Sequence, residues 1–346
     1  MKKNTLQTIL AFVLLMGISL GSQAVNVYLK TDKPRTAAVN NAERNLAALL
    51  TNIDAAQRSR NNVSMRGVSM SEFSKKSLAR LWAVTPFHCE SKIQSAGLER
   101  RLWVLRNGVM VVRDIPLTIT PLDGGWGMNE YQEATVEFDR NGTITDFRFT
   151  FNAQAVGLNM EEGGDEVQSW EEQYVILQTL ERFRTAYNQK DLATIEAMFS
   201  DDALIITGNV VQRRKPGDRG GATYDVQFNR QNKQQYISNL RRCFARNSWI
   251  NVTFELDDDY LAQQTGNPNI SCITRSTKDG TKYGVRLRQT WKSSTYSDVG
   301  LLFLLFEFPA DGSDPIIHVR TWQPEMVGGR RNSYRDDIST LGGFGW

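Results

Sequence analysis

Residues 176–204 read ILQTLERFRTAYNQKDLATIEAMFSDDAL, and this stretch decides how the chain folds. Around it, Val175–Asn188 is amphipathic: Val175, Leu177, Leu180, Phe183 and Tyr187 recur near one face at helical spacing. Asn188–Lys190 is a polar corner, and Asp191 is placed to cap a second, shorter helix over 191–199. Leu192, Ile195 and Phe199 of that helix face inward. Asp201-Asp202-Ala203 then leads into Leu204-Ile205-Ile206-Thr207, which begins a strand. Helix, corner, short helix and strand in close succession mark an α+β unit.

Downstream, Gln212–Thr223 reads as a long basic loop, Lys233–Ala245 as a third helix, and five strand-like runs follow. These are Ile250–Leu256, Ile270–Arg275, Tyr283–Trp291, Gly300–Phe308 and Ile316–Trp322. Upstream the same order occurs. A loose polar lead over 30–40 precedes a helix at Ala42–Arg58, with Leu46, Leu49, Leu50 and Ile53 on one face. A second helix follows, with Ser71 as N-cap and Phe73, Leu78 and Leu81 inward. The period then falls to two. Leu102–Leu105 and Val109–Val112 flank an Asn107-Gly108 turn; Tyr131–Phe138 and Ile144–Phe151 flank Asp139–Gly142. Gly124–Gly127 is a loop between the hairpins, and acidic, glycine-bearing 155–169 reads as a linker. The architecture repeats; the residues do not.

The stretch 176–204 resembles the opening of NTF2-like (SnoaL-like) domains, through the Tyr187-Asn188-x-x-Asp191-Leu192 corner, the aromatic Phe199 and Asp201-Asp202-Ala203 entering a strand. Element order extends the resemblance to about residue 324, whereas the first half matches in order alone. The resemblance implies two tandem cone-shaped domains, each with N-terminal helices packed on a curved antiparallel sheet. Tyr187 and Phe199 would close the wide end of the cone, with a pocket at its open end. It implies no reaction, because the superfamily holds isomerases, dehydratases, ligand carriers and structural adaptors. The expected division is a signal over 1–24, a flexible lead over 25–40 and an N-terminal domain over 41–154. The linker, a C-terminal domain over 170–327 and a flexible tail over 328–346 complete it.

Length and composition fit this plan. A chain of 346 residues suits two domains of ordinary size, and 40% hydrophobic residues can build a core in each. A mean hydropathy of −0.41 excludes a polytopic membrane protein. Lys2 and Lys3, the apolar run Ile9–Leu20 and Ser22-Gln23-Ala24 read as an export signal cleaved before Val25. The 41 basic and 38 acidic residues become 39 and 38 once those two lysines are removed, a formal charge of +1. No nucleic-acid partner and no membrane span after cleavage are expected. With 2 His and 3 Cys, neither a multi-ligand metal site nor a cofactor is expected. The odd thiol count leaves a Cys243–Cys272 bridge and buried free thiols both open.

Candidate site residues follow from alternation. In Ile316–Trp322, His318, Arg320 and Trp322 share one face. Turned into the cone, His318 would be a general base and Arg320 an anion clamp; turned outward, which is the expected case, they form a solvated ridge. Asp201 and Asp202 are turn and cap residues first, with Asp202 a weak second candidate for catalysis. Tyr187, Phe199, Trp249, His318, Arg320 and Trp322 are the expected ligand-binding set. Arg286 and Arg288 share the face opposite Tyr283, Val285, Leu287, Gln289 and Trp291, and pairing with acids such as Glu307 is expected over a basic patch with Arg320. The loop 213–221 carries four cations and three glycines without the spacing of a phosphate-binding loop; it suits a flexible surface loop or contact with a partner protein or anionic glycan. His88-Cys89 is no dyad if both lie on one strand, since neighbours point to opposite sides. The aromatic tail 341–346 is a frayed end or a docking peptide.

The functional expectation is an exported bacterial envelope protein in the periplasm or outside the cell. It would be a non-catalytic binding module for a small hydrophobic ligand or an envelope protein, possible as a homo-oligomer. The alternative is a SnoaL-like enzyme of isomerase, dehydratase or hydrolase type acting on a small hydrophobic substrate.

Overall fold

A computed structural model describes residues 24–32, 34–105, 107–120, 130–151, 170–213, 223–256, 260, 262–263, 266, 272–275, 281–309 and 313–332. The signal segment, the 124–127 loop, the 155–169 linker, most of the basic loop and the 341–346 tail lie outside them. The fold is mixed α+β, and the chain divides into two units, Met1–Phe147 and Arg148–Trp346. The division falls earlier than the expected limit at 154.

In the first unit, α1 (Ala37–Ser59) starts where Thr36 Oγ1 accepts the Val39 amide, and it stops at Arg60 in the left-handed conformation. Val39, Leu46, Leu49, Leu50 and Ile53 form its buried stripe. The helix therefore begins inside the expected flexible lead, and β1 (Val27–Lys30) occupies that lead as well, paired parallel with β3 (Leu98–Val104). α2 (Glu72–Val84) is capped by Ser71, whose Oγ accepts the Ser74 amide. Its buried face is Ser74, Leu78, Leu81 and Trp82, so Phe73, expected inward, stands 60% exposed beside that stripe. β2 (Phe87–Cys89) and α3 (Ser91–Ala96) precede β3. The sheet continues through β4 (Met110–Ile119), β5 (Glu130–Phe138) and β6 (Ile144–Phe149), with β2 beside β4. Both expected hairpins are present. Gly142 is needed in the second: its φ is +85°, and a Cβ there would sit 2.6 Å from the Ala38 carbonyl and Ala42 amide of α1. Asn45 donates to the Gly142 carbonyl at 2.7 Å, fixing this turn to the helix.

In the second unit, α4 (Trp170–Asn188) and α5 (Leu192–Met198) reproduce the expected corner. Asp191 caps α5 by accepting the Thr194 amide. β7 (Phe199–Arg213) pairs with β8 (Thr223–Asn232), so the expected loop is narrower than 212–223 and its downstream flank is a strand. β8 is exposed along nearly its whole length, which removes the one-sided burial that marks a strand. α6 (Lys233–Arg246) opens with a capping box in which Asn232 and Gln235 bond each other's backbone amides. β9 (Ile250–Glu255), β10 (Ile273–Arg275), β11 (Lys282–Ser293), β12 (Ser297–Glu307) and β13 (Ile316–Pro324) follow. The sheet order is β10-β11-β12-β13-β7-β8, with β9 beside β11. It is not a plain meander, because β13 returns to lie parallel with β7. β14 (Met326–Val327) and β15 (Arg330–Arg331) form a small hairpin that runs from the end of the expected C-terminal domain into the expected tail.

Candidate functional site

The interior of the second unit is set by register. Across β9, β11, β12 and β13, directly opposed residues share a face. Phe254, Gln289 and Gly300 lie side by side, as do Val285, Leu304 and Arg320, and Leu287, Leu302 and Trp322. This face carries the buried apolar cluster with Phe183, Tyr187, Phe199, Tyr236 and Phe244 from the helices and the start of β7. Phe183 stacks over Phe254 at 6.1 Å, and Tyr187 meets Trp291 edge-on at 5.8 Å.

A polar set is buried within that apolar shell. Arg320 is 6% exposed. Its Nη2 donates to Gln289 Oε1 at 3.3 Å, and its guanidinium lies 5.4 Å from the centroid of the Tyr236 ring. The hydroxyls of Tyr187 and Tyr236 bond each other beside it. Burial pushes the Tyr187 phenol far above its ordinary value, with the Tyr236 hydroxyl adding to the effect. Asp298, opposite Trp291 in register, is raised to about 6 by burial, against the pull of Tyr296 and Arg320. Arg320 Nε and Nη1, Trp322 Nε1 and Asp298 Oδ1 are buried without a hydrogen-bond partner. Trp322 is pressed against Gly300, where an added Cβ would come within 2.6 Å of the indole ring. Donors and an acid are thus collected beside the aromatic rings of the core.

The structure brings together four of the expected ligand-binding residues, Tyr187, Phe199, Arg320 and Trp322, and separates two. Trp249 lies half-buried before β9 and outside the apolar cluster; Trp291 packs on Tyr187 in its place. His318 does not share a face with Arg320 and Trp322. On β12 the consecutive residues Leu305 and Phe306 face Val319 and Ile317, so His318 is an extra residue in a β-bulge. The bulge lets Ile317 join the inner cluster and turns His318 to acids on the surface. Its Nε2 lies 2.8 Å from Glu307 Oε2 and its Nδ1 3.7 Å from Asp202 Oδ1. Asp202 is exposed; its carboxyl is held below the usual range mainly by the bond from the Ser200 hydroxyl. Asp201 pairs with Lys233 at 2.9 Å; it and Asp202 lie within β7 and not in the expected turn before the strand.

Arg286 and Arg288 are on the other face, as expected, and Arg320 is not with them. Arg288 is paired to Glu255 at 3.0 Å and Glu325 at 3.1 Å, and Arg286 donates to Thr274 Oγ1 at 3.2 Å. Residues not anticipated are Tyr236, Gln289 and Asp298. Tyr236 had a signal in the spacing Tyr236, Leu240, Phe244 on α6; Gln289 was a polar residue on an otherwise apolar strand face.

In the first unit, Asp54 is buried and accepts the Cys89 amide at 2.8 Å. Burial raises its carboxyl and lowers His88; the buried Cys89 thiol is driven upward by burial and by Asp54. That thiol has no thiolate character for nucleophilic chemistry. All three cysteines are free. Among the described residues no group of His, Cys, Asp and Glu is placed to hold a metal ion, and no helix is long and apolar enough to cross a membrane.

No family model matches the chain, and no curated protein matches it. Solved structures similar to it include NTF2-like proteins. An NTF2-like protein of unknown function from Pseudomonas putida KT2440 aligns at 13% identity over 45% of this chain and 89% of that one, with a TM-score of 0.29. ActVI-ORFA from Streptomyces coelicolor aligns at 11% identity over 45% and 98%, also at 0.29. Bd1075 from Bdellovibrio bacteriovorus aligns at 11% identity over 53% of this chain, at a TM-score of 0.31. In that case the match spans 47% of the other chain, less than half its length.

Proposed function

We propose that the chain is an exported bacterial envelope protein of two tandem NTF2-like domains, and that the second binds a small hydrophobic ligand without transforming it. The observation that carries the reading is the aromatic-walled interior with Arg320 and Trp322 donors left open inside it. A binding role without chemistry is supported by where the nearest bases lie. His318 is engaged with surface acids, and Asp202 is exposed. Export is supported by the sequence 1–24 alone, and a homo-oligomer or envelope protein partner stays with that proposal.

Native mass spectrometry of the protein isolated from envelope extract is expected to show a retained small molecule, released on unfolding. An empty second unit, unaffected in melting temperature by any apolar small molecule, would overturn the binding reading. N-terminal sequencing of the mature protein is expected to begin at Val25; an intact Met1 in the cytosol would overturn export.

One observation favours the enzyme reading. Asp298 is an interior carboxylic acid with its pKa raised to about 6, which suits general acid–base work. Turnover of a bound hydrophobic substrate lost in Asp298→Asn, with binding retained, would establish it in place of the carrier reading.

A further inference from the structure

Among the described residues around Arg320, buried donors without a partner outnumber buried acceptors without one. Arg320 Nε and Nη1 and Trp322 Nε1 have no acceptor, and the open acceptor among these residues is Asp298 Oδ1. Arg320 and Trp322 are two residues apart on β13, so their Cα atoms lie roughly 7 Å apart along one face. A buried guanidinium is costly unless an anion in hydrogen-bond contact offsets its desolvation. Here it donates to the neutral amide of Gln289 at 3.3 Å, lies over the Tyr236 ring and interacts with the Tyr187 hydroxyl, whose partner is the Tyr236 hydroxyl. The charged group facing it is Asp298, which acts on it across space without an ion-pair contact and is engaged by Tyr296.

We propose that the ligand of the second unit carries a carboxylate, that Arg320 receives it, and that Trp322 Nε1 donates the adjoining hydrogen bond. This rests on the interior-binding reading and adds the chemical class of the ligand. The aromatic neighbours Tyr187, Phe199, Tyr236 and Trp291 suit an aromatic or aliphatic body behind that head. The groups facing Arg320 are Tyr187 and Tyr236 from the helices, Gln289 from β11 and Asp298 from β12. Of these, Asp298 is the one that titrates near neutrality, at about 6. As pH falls through that value its repulsion of a bound anion disappears, so affinity rises until the probe itself takes a proton.

The probe is benzoate, with benzamide as its neutral isostere, titrated into the full chain and followed by tryptophan fluorescence and calorimetry at two pH values on either side of 6. Benzoate is expected to bind at least tenfold more tightly than benzamide, and more tightly at the lower pH. Arg320→Met should erase the preference while leaving benzamide binding in place. Should that variant fail to fold, Trp322→Phe keeps the shape, removes one donor, and is expected to weaken benzoate severalfold and benzamide not at all. Equal binding of the two probes overturns the carboxylate assignment and leaves interior binding standing. Benzoate binding indifferent to both variants overturns Arg320 as its receptor. No effect of either probe on fluorescence or melting overturns the interior-binding reading itself.

Discussion

Asp54 in the first unit and Arg320 in the second are both buried ionisable side chains at the meeting of helix and sheet, and their surroundings differ. Asp54 Oδ1 is held by a backbone amide, that of Cys89, so it ties α1 to β2, while its Oδ2 is buried without a partner. Arg320 has a neutral amide, aromatic rings and, at longer range, the Asp298 carboxylate around it, with Nε and Nη1 left over. Neither has all its hydrogen bonds completed by the protein. The difference lies in how each answers burial: Asp54 is pushed towards its neutral form, whereas a guanidinium keeps its charge.

The sharpest way to break this comparison is to test what a completed ion pair is worth. Within the second unit, Arg148 Nε bonds Glu181 Oε2 at 2.8 Å, with both side chains at 1% exposure or less, and Glu181 Oε1 also accepts the Phe151 amide. Glu181→Ala strands the Arg148 charge and is expected to cost about 3–5 kcal/mol in urea unfolding. Asp54→Asn keeps an oxygen for the Cys89 amide and removes a carboxylate whose ionisation burial opposes; it is expected to be neutral or mildly stabilising at pH 7. A large loss from Asp54→Asn would erase the contrast.

A smaller effect separates the units by pH. Asp298 folds with its pKa raised to about 6 from 3.8, so its protonated form is favoured in the native state. Its contribution is fully present below 3.8 and lost as pH rises through about 6. Stability measured between pH 7 and 5 should therefore rise on acidification by about 1 kcal/mol, and Asp298→Asn should flatten that rise. In the first unit the raised Asp54 works in the same direction, but His88, lowered by burial, loses stability as pH falls. The two offset each other there. Smallest of all, the helix caps should match across the units: Ser71→Ala and Asp191→Ala are each expected to cost about 1 kcal/mol.

Those caps were legible in the sequence because capping is local. Ser71 and Asp191 announce their helices within three residues, and the corner at 187–192 carries its own turn chemistry. The leading segment was not, because β1 depends on Leu98–Arg101, about seventy residues away, and its own four residues show no pattern. β8 was missed although Tyr224, Val226 and Phe228 alternate with polar residues, because a charged, glycine-rich stretch precedes it and exposure follows it. For the site, helical spacing and the family resemblance placed Tyr187 among the residues of interest, alternation placed Arg320 and Trp322 there, and Ile317–His318 is where alternation failed. A bulge is a property of the partner strand, invisible in the sequence of the strand that bears it. Asp298 had no signal: apart from Tyr296 two residues before it, its importance comes from Arg320 and the rings around it, which lie on other elements.

The bulge at His318 also acts as a spare letter in the reading frame of β13. Removing a residue from a paired strand normally flips every side chain beyond it. Deleting His318 instead would leave Ile317 followed by Val319, and the alternation Ile317 inward, Val319 outward, Arg320 inward would close without a break in the ladder to Leu304–Phe306. Deletion of a single codon should thus be tolerated here, with the interior intact and the contacts to Glu307 and Asp202 lost. At Arg320 or Thr321 the same deletion should unfold the sheet. Relatives of this chain would then differ at position 318 by a gap, whereas the two residues that follow it inward would hold their register.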